Sequence, residues 1–140
     1  MSLMSQSDRL KKAIENARFL VIDDDRFSRS LIKTTLMQLG GYKISEQPSG
    51  VQALETLRTE DISVVLLDHE MPGLTGLELA RLIRKGEEGV KNKNVPIIII
   101  TGNTEARTVK EAQISGISEY LLKPISPLAL EKRLAKVLKY

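Results

Sequence analysis

Apolar runs alternate along this chain with segments in which apolar residues recur every three or four positions. Short runs rich in Val, Ile and Leu are typical of strands that are buried on both faces of a sheet. The spaced apolar positions are typical of helices that pack one side against such a sheet. Five predicted strands are each followed by a predicted helix. This strict alternation predicts an α/β fold with a doubly wound, five-stranded parallel sheet.

Turn and capping residues set the bounds of these elements. The predicted strands cover residues 19–22, 42–47, 62–67, 95–100 and 118–122. Ser49 with Gln52, and Thr75 with Glu78, each have the spacing of a capping box at the start of a helix. A helix with a thin apolar face is predicted at 105–115. One face of the helix after the first strand is predicted to contain Leu31, Ile32, Thr35, Leu36 and Leu39.

A short amphipathic helix is predicted ahead of the first strand, at residues 8–17, because Leu10, Ala13, Ile14 and Ala17 share one face. We expect a leader helix that lies on the domain, although the tail of a linker from an upstream domain or a dimer contact would show the same pattern. The first three residues have the character of an expression tag. The predicted organisation is therefore a tag and leader helix at 1–17 and one globular domain at 18–140.

Composition and charge narrow the classes of function. Charged residues make up 28% of the 140 residues and hydrophobic residues 41%, as in ordinary globular proteins. No apolar run approaches the roughly 20 residues of a membrane span and no signal peptide is visible, so we expect a cytoplasmic protein with no membrane partner. The chain has no cysteine, which excludes disulfides and cysteine metal sites. A net charge of +3 with scattered basic residues gives little support for direct nucleic-acid binding.

Charged or hydroxyl side chains stand at the carboxyl ends of four predicted strands: Asp23 and Asp24, Asp68, Thr101, and Lys123. Parallel strands end at one edge of a sheet, where ligands bind in open α/β folds. Three carboxylates at one edge would repel one another unless a divalent cation lies between them, and Mg²⁺ suits a few hard oxygen ligands beside solvent. A lysine ammonium and a threonine hydroxyl opposite would hold phosphoryl oxygens. The pattern therefore predicts a Mg²⁺-dependent site for phosphoryl transfer.

Four motifs carry a resemblance to a known family: Phe-Leu-Val-Ile-Asp23-Asp24-Asp, Leu-Leu-Asp68-x-x-Met-Pro-Gly, Ile-Ile-Thr101-Gly and Tyr120-x-x-Lys123-Pro. Together they resemble the receiver (CheY-like) domain of two-component response regulators, over about residues 18–138. The resemblance implies a flavodoxin-like fold with the strand order 2-1-3-4-5. It also implies a cis peptide bond between Lys123 and Pro124.

The resemblance implies roles for the acidic residues. Asp68 is the implied phosphoacceptor. Asp24 and Asp68 are expected to bind Mg²⁺ directly, Glu70 to bind it through its main-chain carbonyl, and Asp23 mainly through water.

Further implied roles fall on the opposite side of the site. Thr101 and Lys123 would hold the phosphoryl oxygens, and Thr101 with Tyr120 would form the switch that responds to them. Glu70 and Asn103 would tune the rate of dephosphorylation. The protein would thus be a phosphorylation-dependent switch rather than an enzyme, and it would assist its own phosphorylation and dephosphorylation.

The resemblance also implies partners. A sensor histidine kinase or a histidine phosphotransfer protein would supply the phosphoryl group, and a downstream effector would bind through residues 105–140. His69, next to Asp68, is not expected to be the donor, because a neighbour on a strand points to the opposite face.

Two other classes of function stay open. A Mg²⁺-dependent phosphohydrolase acting on small molecules would need a substrate pocket and a further acid or base. A constitutive interaction platform would carry the same fold and never load its site. The sequence does not separate a stand-alone regulator from a fragment of a larger one.

Overall fold

The computed structural model of the chain describes residues 4–102, 110, 111, 113 and 115–140. Within these residues one parallel sheet contains the strands β1 Arg18–Ile22, β2 Lys43–Gln47, β3 Val64–Asp68, β4 Ile97–Thr101 and β5 Glu119–Leu122. Their order is β2-β1-β3-β4-β5. This confirms the predicted α/β fold and the predicted strand order.

The helices in the described ranges are α1 Gln6–Asn16, α2 Arg26–Gln38, α3 Gly50–Thr59, α4 Gly76–Lys85 and α5 Pro127–Val137. The predicted helix at 105–115 falls for the most part outside the described residues and stays a prediction. Across the part of the chain that is described, no helix is long and apolar enough to cross a membrane.

Capping boxes were predicted for α4 and α3, and the structure confirms one of them in full. The hydroxyl of Thr75 accepts from the N–H of Glu78 at 3.2 Å, and the Glu78 carboxylate accepts from the N–H of Thr75 at 3.3 Å, which confirms this capping box. The hydroxyl of Ser49 accepts from the N–H of Gln52 at 3.3 Å but donates to the Gln52 side-chain oxygen at 3.0 Å. The predicted reciprocal box is wrong in its second half, because the Gln52 side chain meets the hydroxyl instead of the backbone.

The sheet separates two apolar clusters, because successive residues of a strand point to opposite faces. On one face the strands pack against α3 and α4, and the cluster includes Leu20, Leu67, Ile99, Leu57, Leu79 and Ile83. On the other face they pack against α1, α2 and α5, and the cluster includes Phe19, Leu66, Ile98, Ile32, Leu36 and Leu130. Both faces of β3 and β4 are buried along their whole length, which explains why their sequences are continuous apolar runs.

The leader helix α1 lies against the strands. Ile14 near its carboxyl end, and Ala17 directly after it, are buried in the cluster that also contains residues of α2 and α5. The helix begins at Gln6, earlier than the predicted residue 8, because the hydroxyl of Ser5 accepts a hydrogen bond from the N–H of Asp8 at 3.0 Å. The domain boundary between residues 17 and 18 stays a prediction.

The start of α4 is pressed against the end of β3. A Cβ atom at Gly76 would lie 2.5 Å from the carbonyl oxygen of Asp68 and 2.9 Å from Cα of His69, so the backbone approach requires glycine. The N–H of Gly76 donates to the carbonyl of His69 at 3.2 Å. The loop of residues 69–75, which carries Glu70, is therefore closed at its base.

Candidate functional site

The carboxyl ends of the strands bring the predicted side chains to one edge of the sheet. Asp68 is the last residue of β3 and is 3% exposed. Thr101 is the last residue of β4 and Asp23 directly follows β1, and both are fully buried. Lys123 follows β5, and its backbone N–H donates to the carbonyl of Thr101 at 2.9 Å. The parallel register thus places a carboxylate, a hydroxyl and an ammonium at the ends of three neighbouring strands.

Three aspartates form an acidic cluster at this edge. Asp23, Asp24 and Asp68 each offer a carboxylate oxygen within 4.8 Å of the others, and no second cluster of this kind occurs in the described ranges. Oδ2 of Asp23 is buried and has no hydrogen-bond partner among the described residues. Burying such an oxygen without a donor is costly, and a divalent cation would supply the missing positive partner. The set of hard oxygens, open to solvent at Asp24, fits Mg²⁺.

Lys123 approaches the same carboxylates. Its ammonium nitrogen lies 3.0 Å from Oδ1 of Asp68 and 3.9 Å from Oδ2 of Asp23. The Lys123–Pro124 peptide bond is cis, as the family resemblance implies. One ammonium does not neutralise three ionised aspartates, so the cluster keeps a net negative charge that favours a cation.

Burial and charge shift the pKa values of the central pair. The pKa of Asp68 is raised above its ordinary value chiefly because burial penalises the carboxylate; the hydrogen bond from Lys123 opposes this rise, and the charge of Asp23 adds to it. Burial by itself would lower the pKa of Lys123, but its hydrogen bond with Asp68 and the nearby carboxylates outweigh burial and raise it. Lys123 is therefore held protonated, whereas the carboxylate of Asp68 is destabilised until more positive charge reaches it.

The other predicted site residues differ in how far they are exposed to solvent. Glu70 is exposed in the loop after β3. Tyr120 is half-buried on β5 and packs against the apolar cluster on the α3 and α4 side of the sheet. Burial raises the pKa of its hydroxyl. Asn103 lies outside the described residues, so its place relative to the site stays a prediction.

One contact of the site has no counterpart in the prediction from sequence. Arg29 in the second turn of α2 donates from Nη1 to the main-chain carbonyl of Asp23 at 2.7 Å. The spacing between the helix cap and Arg29 is the feature of the sequence that could have predicted this contact. Asp25 caps α2 through the N–H of Ser28, and side chains on a helix lean toward its amino terminus, so the residue four positions after the cap faces the strand end.

An exposed apolar surface adjoins the site. A cavity of about 350 Å³ lies between α2 and the residues that follow β5. We call its apolar rim, formed by Phe27, Leu31 and Ile125, the α2 patch; Phe27 is 79% exposed and Leu31 is 46% exposed. Leu31 lies at the exposed border of the apolar face predicted for α2, because Ile32 and Leu36 fill the contact with the sheet.

Comparisons with known proteins agree with this geometry. The family model described as the response regulator receiver domain matches residues 19–135. Chemotaxis protein CheY-3 of Vibrio cholerae is 32% identical over 123 residues, which are 88% of this chain and 92% of that protein. The CAI-1 autoinducer sensor kinase/phosphatase CqsS of Vibrio cholerae is 36% identical over 115 residues, which are 82% of this chain and 16% of that protein. The chain thus spans a small part of that kinase and nearly the whole length of CheY-3.

A solved structure resembles the chain over nearly the same range. The receiver domain of sensor histidine kinase PA1611 from Pseudomonas aeruginosa matches with a TM-score of 0.76 and 26% identity, covering 89% of this chain and 98% of its own. That domain has a magnesium ion coordinated in its active-site cleft. The family model covers most of the chain, and a relative above 30% identity does the same. This chain therefore belongs to the response regulator receiver domains, the phosphoacceptor modules of two-component signalling.

Proposed function

We propose that this receiver domain takes up a phosphoryl group on Asp68, with Mg²⁺ held at the three aspartates and the main-chain carbonyl of Glu70. The observation that carries the proposal is the ammonium of Lys123, 3.0 Å from Oδ1 of Asp68, beside an acidic cluster with a buried oxygen that lacks a donor. Phosphoryl transfer requires positive charge around the phosphoryl oxygens. A carboxylate between a lysine and a cation site has these surroundings.

The proposed step is an in-line displacement at phosphorus. An oxygen of ionised Asp68 attacks and forms a P–O bond, while the P–N bond to the donor histidine breaks and its electron pair returns to the imidazole nitrogen. The product is an acyl phosphate on Asp68. Mg²⁺, when bound, supplies positive charge to the phosphoryl oxygens. Lys123 and the hydroxyl of Thr101 are the groups of this chain that hold the remaining oxygens.

Hydrolysis returns the domain to its starting state. Water attacks phosphorus, Asp68 leaves as a carboxylate, and inorganic phosphate is released. Glu70, exposed beside the site, and Asn103 tune the rate by placing charge and hydrogen bonds near the attacking water. The domain thereby assists both its own phosphorylation and its own dephosphorylation, as a switch rather than as an enzyme that turns over a free substrate.

The α2 patch is the proposed docking surface for the phosphohistidine donor. Lys123 lines the same cavity as the patch, so a protein seated on Phe27, Leu31 and Ile125 lies beside the acceptor. An exposed aromatic ring flanked by aliphatic side chains suits the apolar side of a donor helix. The donor is a sensor histidine kinase or a histidine phosphotransfer protein.

Output is proposed to leave through β5 and α5, within residues 105–140. Arg133 of α5 donates from Nε to the carbonyl of Tyr120 at 2.8 Å, and the carboxylate of Glu119 lies 3.7 Å from Arg133. These contacts link the switch residue to a surface that carries both signs of charge. A Thr101 hydroxyl drawn toward a phosphoryl oxygen opens space that Tyr120 fills, and an effector binds the surface so formed.

Incubation with acetyl phosphate or phosphoramidate and Mg²⁺, followed by measurement of the intact mass, tests the proposal. We expect one added phosphoryl group on the wild type and none on Asp68→Asn. Asp61→Asn is a matched control, because Asp61 is an exposed aspartate that precedes β3 at the opposite edge of the sheet. A wild type without added mass, or undiminished addition on Asp68→Asn, would overturn the proposal. Turnover of a free phosphomonoester would favour the phosphohydrolase class instead.

A further inference from the structure

Three hydrogen bonds hold Asp23, at its N–H, its Oδ1 and its main-chain carbonyl. Its N–H donates to the carbonyl of Gln47 at 3.2 Å, and its Oδ1 accepts from the N–H of Asp25 at 2.9 Å. Its main-chain carbonyl accepts from Nη1 of Arg29 at 2.7 Å. Oδ2 is the atom of this residue that is buried without a hydrogen bond among the described residues. These hydrogen bonds fix the backbone and Oδ1 of Asp23 and leave Oδ2 without a hydrogen bond, 3.9 Å from the ammonium of Lys123 and beside the other carboxylates of the acidic cluster.

Arg29, which donates to the carbonyl of Asp23, is mostly buried and also contacts β2. Its side chain is 16% exposed, and its Nε lies 3.5 Å from Oε1 of Glu46 on β2. Lys33, one turn further along α2, lies 3.1 Å from Oε2 of the same carboxylate. The guanidinium group thus lies between Glu46 on β2, with which it forms an ion pair, and the carbonyl of Asp23, to which it donates its hydrogen bond.

We propose that Arg29 is a positioning residue for the cation site: its hydrogen bond to the carbonyl of Asp23 keeps Oδ2 directed at the divalent cation and thereby raises the affinity for Mg²⁺. The inference rests on the proposed function, because it concerns the cation held by the aspartates. Arg29 acts through the backbone of Asp23 and has no part in the displacement at phosphorus. Removing a group that orients a metal ligand typically weakens metal affinity by about 10- to 100-fold.

The direction of the change in Mg²⁺ affinity on replacing Arg29 distinguishes a positioning role from an effect of its charge. Arg29 is itself a cation near the site, so its charge alone repels Mg²⁺, and removing that charge would tighten Mg²⁺ binding. Loss of positioning acts in the opposite direction, because a mobile Asp23 must be ordered again when the cation binds. Lys33 is a matched control. It contacts the same carboxylate of Glu46, and within the described part of the chain no ion pair or hydrogen bond joins it to Asp23.

Mg²⁺ titrations followed by NMR on the wild type, Arg29→Gln and Lys33→Gln measure binding without any phosphorylation. We expect Mg²⁺ binding to be about 10-fold weaker in Arg29→Gln, and unchanged or slightly tighter in Lys33→Gln. The amide signal of Asp25, which donates to Oδ1 of Asp23, should shift in Arg29→Gln before Mg²⁺ is added. Thermal unfolding of each variant without Mg²⁺ gives the temperature below which all of them are folded. The titrations are run below that temperature.

Arg29→Lys is the second variant. Its ammonium keeps the charge but reaches the Asp23 carbonyl or Glu46 rather than both, so we expect an intermediate loss of affinity. If Arg29→Gln does not fold, Arg29→Lys decides, and wild-type affinity there would overturn the inference. Wild-type or tighter binding by folded Arg29→Gln, or an equal loss in Lys33→Gln, would also overturn it. A wild type that does not bind Mg²⁺ would overturn the proposed function itself, so the two failures are distinguishable.

Discussion

The ammonium of Lys123 lies 3.0 Å from Oδ1 of Asp68, in direct contact with the carboxylate at the end of β3. This contact compensates part of the charge of Asp68, yet burial and the neighbouring charge of Asp23 still raise the pKa of that carboxyl group. The acidic cluster is therefore electrostatically unfavourable before a cation binds. Neutralising Asp68 should then change the stability of the whole domain.

Replacing Asp68 by Asn should stabilise the fold in the absence of Mg²⁺. Because the folded-state pKa of Asp68 is raised, the folded protein keeps a proton that the unfolded chain has already released. The free energy of unfolding therefore falls as pH rises from the unfolded pKa, about 3.9, through the folded pKa. We expect Asp68→Asn to raise the unfolding midpoint by a few degrees at neutral pH and to flatten its dependence on pH. Circular dichroism melts at several pH values measure both, and parallel profiles for Asp68→Asn and the wild type would contradict this account.

Replacing Asp24 by Ala should weaken Mg²⁺ binding by about 10-fold, because it removes the exposed carboxylate of the acidic cluster and leaves two carboxylates. A titration that follows the unfolding midpoint measures the affinity, since a ligand at 100 times its Kd stabilises the folded state by about 2.7 kcal/mol. Asp25→Asn is a matched control: it removes a neighbouring charge, and Asn caps a helix as well as Asp does. Equal affinities for Asp24→Ala and the wild type would show that the cation site is misplaced.

Exchanging Glu70 or Asn103 should change the lifetime of the phosphorylated state without preventing phosphorylation. Glu70 is exposed beside the acceptor, so Ala there removes negative charge near the path of the attacking water. Asn103→Ala removes a group that can orient that water by hydrogen bonding. Decay of the added mass after removal of acetyl phosphate gives the lifetime. The same lifetime in the wild type and both variants would refute the prediction.

Replacing Phe27 by Ser should slow phosphotransfer from a protein donor and leave small-molecule phosphorylation unchanged. Phe27 is an exposed aromatic residue of the α2 patch, and loss of such an anchor costs about 2 kcal/mol of binding, or roughly 30-fold. The measurement compares transfer from a phosphorylated histidine phosphotransfer domain with uptake from acetyl phosphate. Val51→Ser is the control, since Val51 is also exposed but lies on α3. Slower uptake from both donors would mean that Phe27→Ser damages the site itself.

A phosphoryl mimic such as beryllofluoride should shift the NMR signals of Tyr120 and of residues 105–122. The half-buried ring of Tyr120 packs against the apolar cluster on one face of the sheet, so its movement changes both that contact and the surface. A full two-state switch needs about 5.5 kcal/mol of differential binding, more than one hydrogen bond from Thr101 supplies, so we expect a partial shift that a partner completes. Signal changes confined to the acidic cluster would show that output leaves by another face.

The closeness of the residues at the strand ends was predictable from the sequence, because the carboxyl ends of parallel strands lie at the same edge of a sheet. Four parallel strands end at one edge, so the residues at their ends, Asp23, Asp68, Thr101 and Lys123, had to lie near one another once the fold was known. The order of the strands, by contrast, came from the family resemblance, since alternation alone does not decide it.

The pattern of apolar and polar residues did not predict the contacts of side chains at the border of a helix or strand. Helical spacing assigns Leu31 and Ile32 to the same stripe, and only packing decides that Ile32 faces the sheet and Leu31 faces solvent. The same limit applies to Arg29, whose contact depends on a guanidinium reaching a carbonyl on another element. The side-chain oxygen of Gln52 accepts from the hydroxyl of Ser49, and the capping pattern does not distinguish this contact from one to the Ser49 backbone.

The close approach of Gly76 to Asp68 holds the two ends of the intervening loop together. The loop of residues 69–75 leaves and re-enters the framework at almost one point, where the N–H of Gly76 meets the carbonyl of His69. Changes inside the loop therefore leave the helix and the acceptor strand in place. If the Glu70 side chain sets the lifetime of the phosphoryl group, as proposed, a side-chain change at this position alters the duration of the signal while the strand that carries Asp68 keeps its place.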